Sequence, residues 1–259
     1  MIIKKIFLTL TLILFMVSQT YAFDPLLIFS GVPTAAAGGG IALVGSSQCY
    51  LSGEIATGNA ICTLSVTAGN KLIIAANVYN GNPDPFEVVS DETGAGDLTS
   101  SITHHVRKYK DDNDSEFCAT VWSADIDTTG TVTILVENSA VGSTYYAISL
   151  SEWSGMNAAP YDTSTSDYET DTTHEPADVT PTNDNSIILG VMSFTASTTL
   201  TPDATYSVVT TQANNGDGNG TYVGLSVGYI LQGSKTADAP AWGTSGSLTS
   251  VTIAGVFKP

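Results

Sequence analysis

The chain has 259 residues, with 25 Asp and Glu against 8 Lys and Arg, for a formal net charge of −17 at pH 7. That balance argues against nucleic acid, whose binding relies on cations to neutralise phosphates, and against anionic lipid surfaces. A surplus of carboxylates is in itself a sufficient device for solubility.

Residues 1–22 have the pattern of a secretory signal. Lys4 and Lys5 form a charged start, Ile6 to Val17 is an apolar run broken only by Thr9 and Thr11, and Thr20-Tyr21-Ala22 ends on a small residue. These are the three parts a signal peptidase substrate needs. The apolar run is shorter than the roughly 20 residues that cross a bilayer. No Cys follows it, which argues against a lipoprotein anchor, and no later segment reads as a membrane span. The expected location is secreted, extracellular or at the cell surface. Removing the signal takes away Lys4 and Lys5 and leaves six cations against 25 acids, a charge of −19 over 237 residues.

Residues 23–40 follow as an apolar segment on a tether, FDPLLIFSGV and then PTAAAGGG. Leu26, Leu27, Ile28 and Phe29 are consecutive apolar residues, and the Ala/Gly run after Pro33 has the composition of a flexible linker. Burying the four side chains would contribute roughly 1.5–3 kcal/mol each. The segment either folds back as the first strand of its own domain or pairs with a sheet edge of another copy. Pro25 and Pro33 bracket it, and strand ends tolerate both.

From residue 41 onward, short β-branched runs recur between Gly, Asn and Asp turns, the signature of an all-β domain. Strands are expected near 41–51, 60–67, 71–79, 86–90, 101–110, 116–125, 130–138, 145–153, 177–180, 186–194, 206–213, 220–232 and 247–257. In 131–136, Val132, Ile134 and Val136 alternate with Thr131, Thr133 and Leu135, as in a sheet with one face on a core. Leu72-Ile73-Ile74-Ala75-Ala76 and Ile187-Ile188-Leu189-Gly190-Val191 are continuous apolar runs. They suit strands covered on both faces or strands that meet a neighbouring subunit. Ala68-Gly69-Asn70, Thr129-Gly130 and Asn183-Asp184-Asn185 mark reversals. The acidic, Thr-rich stretch Tyr161–Pro181 reads as a long surface loop. The fold expected over 41–259 is a two-sheet antiparallel β-sandwich, jelly-roll-like, with a pair of immunoglobulin-type domains as the alternative.

Cys49, Cys62 and Cys118 fit an oxidising compartment. Neighbouring strands carry Cys49 and Cys62, so these are the expected disulfide, with Cys118 buried. The spacing of a zinc site is absent.

The succession AGNKLII, VSDETG, GTVTILV and SEWSG, followed by DNSIILGVMSF and a closing SVTIAGVFKP, resembles a broad group of uncharacterised bacterial and phage β-sandwich domains. The resemblance covers roughly residues 60–259. It implies the fold and carries no activity. The phage members need no signal, so the leader here implies a cellular, exported version.

Candidate chemistry is sparse. His104-His105-Val106-Arg107-Lys108-Tyr109-Lys110 supplies the base and cation types of a polysaccharide lyase. In a regular strand His105, Arg107 and Tyr109 share one face, and His104, Lys108 and Lys110 the other. A solvated hairpin with local charge pairing explains the cluster equally. Glu152, Asp125, Asp127 and Glu137 lie at strand ends, as glycosidase carboxylates would, but no pair can be placed across one cleft. No G-x-S-x-G elbow occurs. Asp111-Asp112-Asn113-Asp114-Ser115-Glu116 resembles the start of a calcium loop, with Asp111, Asn113 and Asp114 as candidate ligands, but lacks the Gly and the final Glu of such loops. Asn214–Gly220 is a second oxygen-rich loop. Tyr79, Phe86 and Trp242 are candidate glycan contacts beside Tyr161 and Tyr168, while Trp122 and Trp153 are expected in the core.

The reading that follows is an exported, acidic, non-catalytic structural or adhesive protein, assembled from copies of itself through the Leu26–Phe29 strand. No cofactor is implied beyond a candidate calcium ion. The alternative is a carbohydrate-binding module or glycan-active enzyme, with surface glycans as partners.

Overall fold

The computed structural model describes residues 40–51, 59–79, 88–94, 98, 101–110, 117–137, 145–195, 200–211, 215–216 and 222–259. Among these there is no helix, and every strand pairing is antiparallel. The strands are β1 Ala42–Leu51, β2 Asn59–Val66, β3 Lys71–Tyr79, β4 Val88–Gly94, β5 Thr103–Tyr109, β6 Phe117–Asp125, β7 Gly130–Glu137 and β8 Tyr145–Ser154. They continue as β9 Tyr161–His174, β10 Ser186–Phe194, β11 Leu200–Pro202, β12 Ser207–Thr211, β13 Asn215–Gly216, β14 Tyr222–Gln232 and β15 Trp242–Phe257.

The all-β class agrees with the sequence, but the expected two sheets are three. A five-stranded sheet, β1-β8-β3-β6-β5, forms the middle layer. The small outer sheet has the order β2-β7-β4. In the large outer sheet β15 pairs with β9 along one side and with β10 and β11 along the other, while β14 joins β10 to β12 and β13.

The apolar pattern explains the third layer. Along β3, Leu72, Ile74 and Ala76 face Val132, Ile134 and Val136 of β7, whereas Ile73 and Ala75 face Leu189, Val191, Leu225 and Ile253 of the large sheet. Strand β8 divides in the same way, with Ile148 and Leu150 on one side and Ala147 and Trp153 on the other. A run without polar alternation is stable only where both faces are covered, and the middle layer supplies that cover. The run in β10 is also covered twice: Ile188 packs outward against Val179, Ala254 and Val256. Strand β7 keeps its inward Val132, Ile134 and Val136, and Leu135 is buried as well.

Buried polar groups tie the layers together. Asn77 Nδ2 donates to the carbonyls of Phe194 (3.2 Å) and Gly224 (2.7 Å), linking the middle sheet to β10 and β14. The Cys49–Cys62 disulfide joins β1 of the middle sheet to β2 of the small sheet, and Cys118 is buried in the core between those sheets. The expected reversals hold at Gly69 (φ 87°) and Asn185 (φ 60°).

Several elements differ from the sequence reading. The sequence pattern does not predict the short strands β11 and β13, and β15 begins at Trp242 where a start near 247 is expected. Tyr161–Pro181 begins not as a loop but as β9, a fourteen-residue edge strand on β15. The strand expected at 177–180 is a single bridge between Val179 and Asp238.

Candidate functional site

Among the described residues the middle and small sheets each end in two edge strands. The large sheet ends in β9 on one side and in β12 and β13 on the other, with β11 paired only to β15. The long edges divide by charge. Strand β9 carries Asp162, Asp167, Glu169 and Asp171, β4 carries Asp91 and Glu92, and β5 carries Arg107 and Lys108. The opposite edges, β1, β2 and β12, contain no Asp, Glu, Lys or Arg.

Strands β5 and β9 meet at an open cleft of about 320 Å³ with a mixed lining: Ser101, Thr103, His105, Ser123, Asp125 and Tyr161 beside Ala158, Ala159 and Pro160. A bulge shapes it. His104 pairs with Trp122 and Val106 with Val121, so His105 is an extra residue in the strand. The faces expected from regular alternation are therefore changed. His104 meets Thr120 Oγ1 (3.1 Å) and Trp122 on the side where Tyr109 also packs, and Arg107 Nη1 donates to Tyr109 OH at 3.1 Å. His105 instead turns into the cleft, stacked on Tyr161 (4.3 Å between centroids) with Nε2 2.7 Å from Ser123 Oγ. The bulge thus separates His105 from Arg107 and Tyr109, and the base–cation face that a lyase would use is not formed there.

Burial pushes the His105 imidazole down to about 4, with the neighbouring His104 a smaller cause. The ring is neutral at pH 7 and Ser123 lies within reach of it, which is the distance relation of a nucleophile and its base. Among the described residues no carboxylate hydrogen-bonds to His105 to orient it. Lys71 Nζ donates to Asp125 and to the Ala158 carbonyl (3.1 Å). Its ammonium is lowered by burial, with Asp127 opposing.

The other candidate acids do not converge. Glu152 is buried and accepts from Thr67 N (2.8 Å) and Asn70 Nδ2 (2.6 Å), fixing the β2–β3 turn. Asp125 is held by Lys71, and Asp127 is exposed. Glu137 is placed only as the last residue of β7. Trp242, a candidate glycan contact, is 2% exposed and donates from Nε1 to Ser226 Oγ at 3.0 Å. No face of its ring is available to a sugar, which corrects that expectation. Trp122 and Trp153 are core residues. Tyr79 is the last residue of β3, and Phe86 lies outside the described residues, as do Asp111, Asn113, Asp114, the 1–22 leader and Leu26–Phe29. Among the described residues there is no group of three metal-ligating side chains, and no helix long and apolar enough to cross a membrane.

The uncharged edges lie together. Ser46 Oγ of β1 donates to the Val209 carbonyl of β12 (3.5 Å), and the disulfide joins β1 to β2. Three of the four large apolar side chains exposed among the described residues sit on these strands: Val44 (37%), Ile61 (50%) and Val208 (46%). Sequence reasoning passed over this flank because no single residue in it is unusual. The signal is the absence of charge from three separate strands, which acquires meaning only once they are edges.

No protein family, curated protein or solved structure matches the chain.

Proposed function

We propose that the protein is an exported structural or adhesive subunit that assembles with copies of itself through its N-terminal strand, as part of an extracellular filament or surface layer. The observation that supports this reading is the absence of charge from one flank of the described strands. Isolated sheet edges are normally protected by charges, Pro or cover. This chain places its edge charges on β4, β5 and β9 and leaves β1, β2 and β12 bare. An apolar, strand-capable segment precedes β1 in the sequence, and a head-to-tail contact of this kind propagates into a filament unless its rotation closes a ring. The leader and the disulfide support export to an oxidising compartment.

The test compares the chain starting at Phe23 with the chain starting at Gly38, by light scattering and electron microscopy. Assembly of the first and monomers of the second are expected; monomers in both would overturn the reading. A carbohydrate-binding or glycan-active role is the second reading, favoured by the open cleft in which Tyr161 stacks on His105. Glycan-array binding that is lost in Tyr161→Ala would support it.

A further inference from the structure

Resting on that reading, we infer that the edge of β1 is the acceptor, and that its occupant is the Leu26–Phe29 segment of a second copy, added as a sixth strand of the middle sheet. Three observations select this edge among those described.

The first is pattern. In a strand, successive side chains point to opposite faces, so Leu26 and Ile28 would project one way and Leu27 and Phe29 the other. An apolar residue at every position suits a strand covered on both sides, as Leu72–Ala76 of β3 is. The two outer sheets carry runs that alternate or that are covered by returning loops. The middle sheet has an outer sheet against each face, so a strand at its edge enters between two flanking edges.

The second is charge. The middle sheet has two edges, β1 and β5. Strand β5 is bulged at His105 and carries Arg107 and Lys108, and its side faces the acidic β9. Strand β1 has no charged residue. Its own bulge lies at its start, where the register shifts between Leu43 and Gly45, and Gly45–Leu51 then runs in unbroken register. That leaves seven residues of regular edge, and among the described residues β8 is its only strand partner.

The third is the surroundings of that edge. It is flanked by β12 on one side and β2 on the other, through the Ser46–Val209 hydrogen bond and the Cys49–Cys62 bridge. On those strands Val209, and Cys62 with Leu64, face inward to the two cores that flank the middle sheet, while the exposed Val208 and Ile61 point to the opposite, outer faces. Arriving apolar side chains would meet uncharged neighbours on both faces.

Cysteine pairing across copies tests the inference. One preparation of the chain from Phe23 carries Leu27→Cys or Ile28→Cys, and a second carries Ser46→Cys on β1 or, as control, Thr170→Cys on β9. The preparations are mixed, allowed to assemble, oxidised and run without reductant. The expected result is a band of twice the monomer mass with Ser46→Cys, at least tenfold stronger than with Thr170→Cys. Assembly with equal or no bridging to Ser46→Cys would overturn the β1 assignment and leave self-assembly standing. Absence of assembly would overturn both. A chain carrying both Leu27→Cys and Ser46→Cys that bridges only within a monomer would show the strand pairing in its own subunit, and would overturn the role of a second copy.

Discussion

His105 shows what a single extra residue does to a strand. By alternation it belongs with Arg107 and Tyr109; the bulge turns it into the cleft onto Tyr161 and Ser123. Bulges are set by pairing with the neighbouring strand, so the local sequence holds no sign of it. The consequence is measurable. The folded value of about 4 lies below the 6.5 of an unfolded histidine, so the unfolded chain binds more protons between these values. Stability from this group is therefore complete above about pH 6.5 and is lost as pH falls towards 4. Allowing for solvent at the open side of the cleft, the loss is on the order of 2 kcal/mol. Burial shifts His104 and His174 downward in the same sense, and shifts Glu169 upward in the opposite one. Urea unfolding of the wild type and His105→Gln at pH 7 and 4.5 isolates the contribution: the variant should lose less stability on acidification, and equal losses would refute it. The disulfide is a second prediction at this scale. Cys49→Ser with Cys62→Ser should cost about 3 kcal/mol, from the loop of 13 residues it closes. Urea midpoints of the oxidised wild type and the double variant would show it, and coincident midpoints would refute it. This pairing was legible in the sequence because Cys49 and Cys62 fall on consecutive strands a short way apart, although those strands lie in two facing sheets and not side by side in one.

Elements were legible where their pattern records burial. The alternation in β7 and the continuous run in β3 identify a strand buried on one face and a strand covered on both. The number of sheets was less legible, because a two-sided apolar strand does not say whether its second cover is another sheet or another subunit. Strand β9 was missed for the converse reason. Nearly all of it is at least partly solvated, so its residues carry no apolar period, and Asp and Glu mask the β-branched preference of its threonines. Those acids act as guards in the edge position. Asp167→Thr with Asp171→Thr should leave thermal stability within about 0.5 kcal/mol of wild type and produce lateral association at 0.15 M salt. Light scattering on the chain from Gly38, which lacks the N-terminal segment, checks this without interference from assembly. A monodisperse variant would show that β9 needs no charge to remain unpaired.

At the scale of the whole molecule, charge and shape act in opposite directions. On the proposed reading the uncharged flank would favour association, while the formal charge of −17 on the chain, or −19 on a chain that starts at Phe23, would resist it. Long-range repulsion depends on ionic strength, because the screening length falls from about 30 Å at 0.01 M salt to about 8 Å at 0.15 M. Strand pairing at β1, as proposed, would be a short-range contact between uncharged groups and would be screened little. Assembly of the chain from Phe23 should therefore be slow at 0.01 M salt and on the order of tenfold faster at 0.15 M, with the final extent less affected than the rate. Val44→Lys with Ile61→Lys separates the two effects. Placing ammonium groups on the bare flank lowers the net negative charge, which by repulsion alone should speed assembly. If the flank is the contact, the same change should instead abolish assembly at every salt concentration while thermal stability stays within about 0.5 kcal/mol. Turbidity and electron microscopy of the variant across that salt range decide between them: faster assembly would place the contact elsewhere on the molecule, and loss of assembly with an intact fold would place it on the flank formed by β12, β1 and β2.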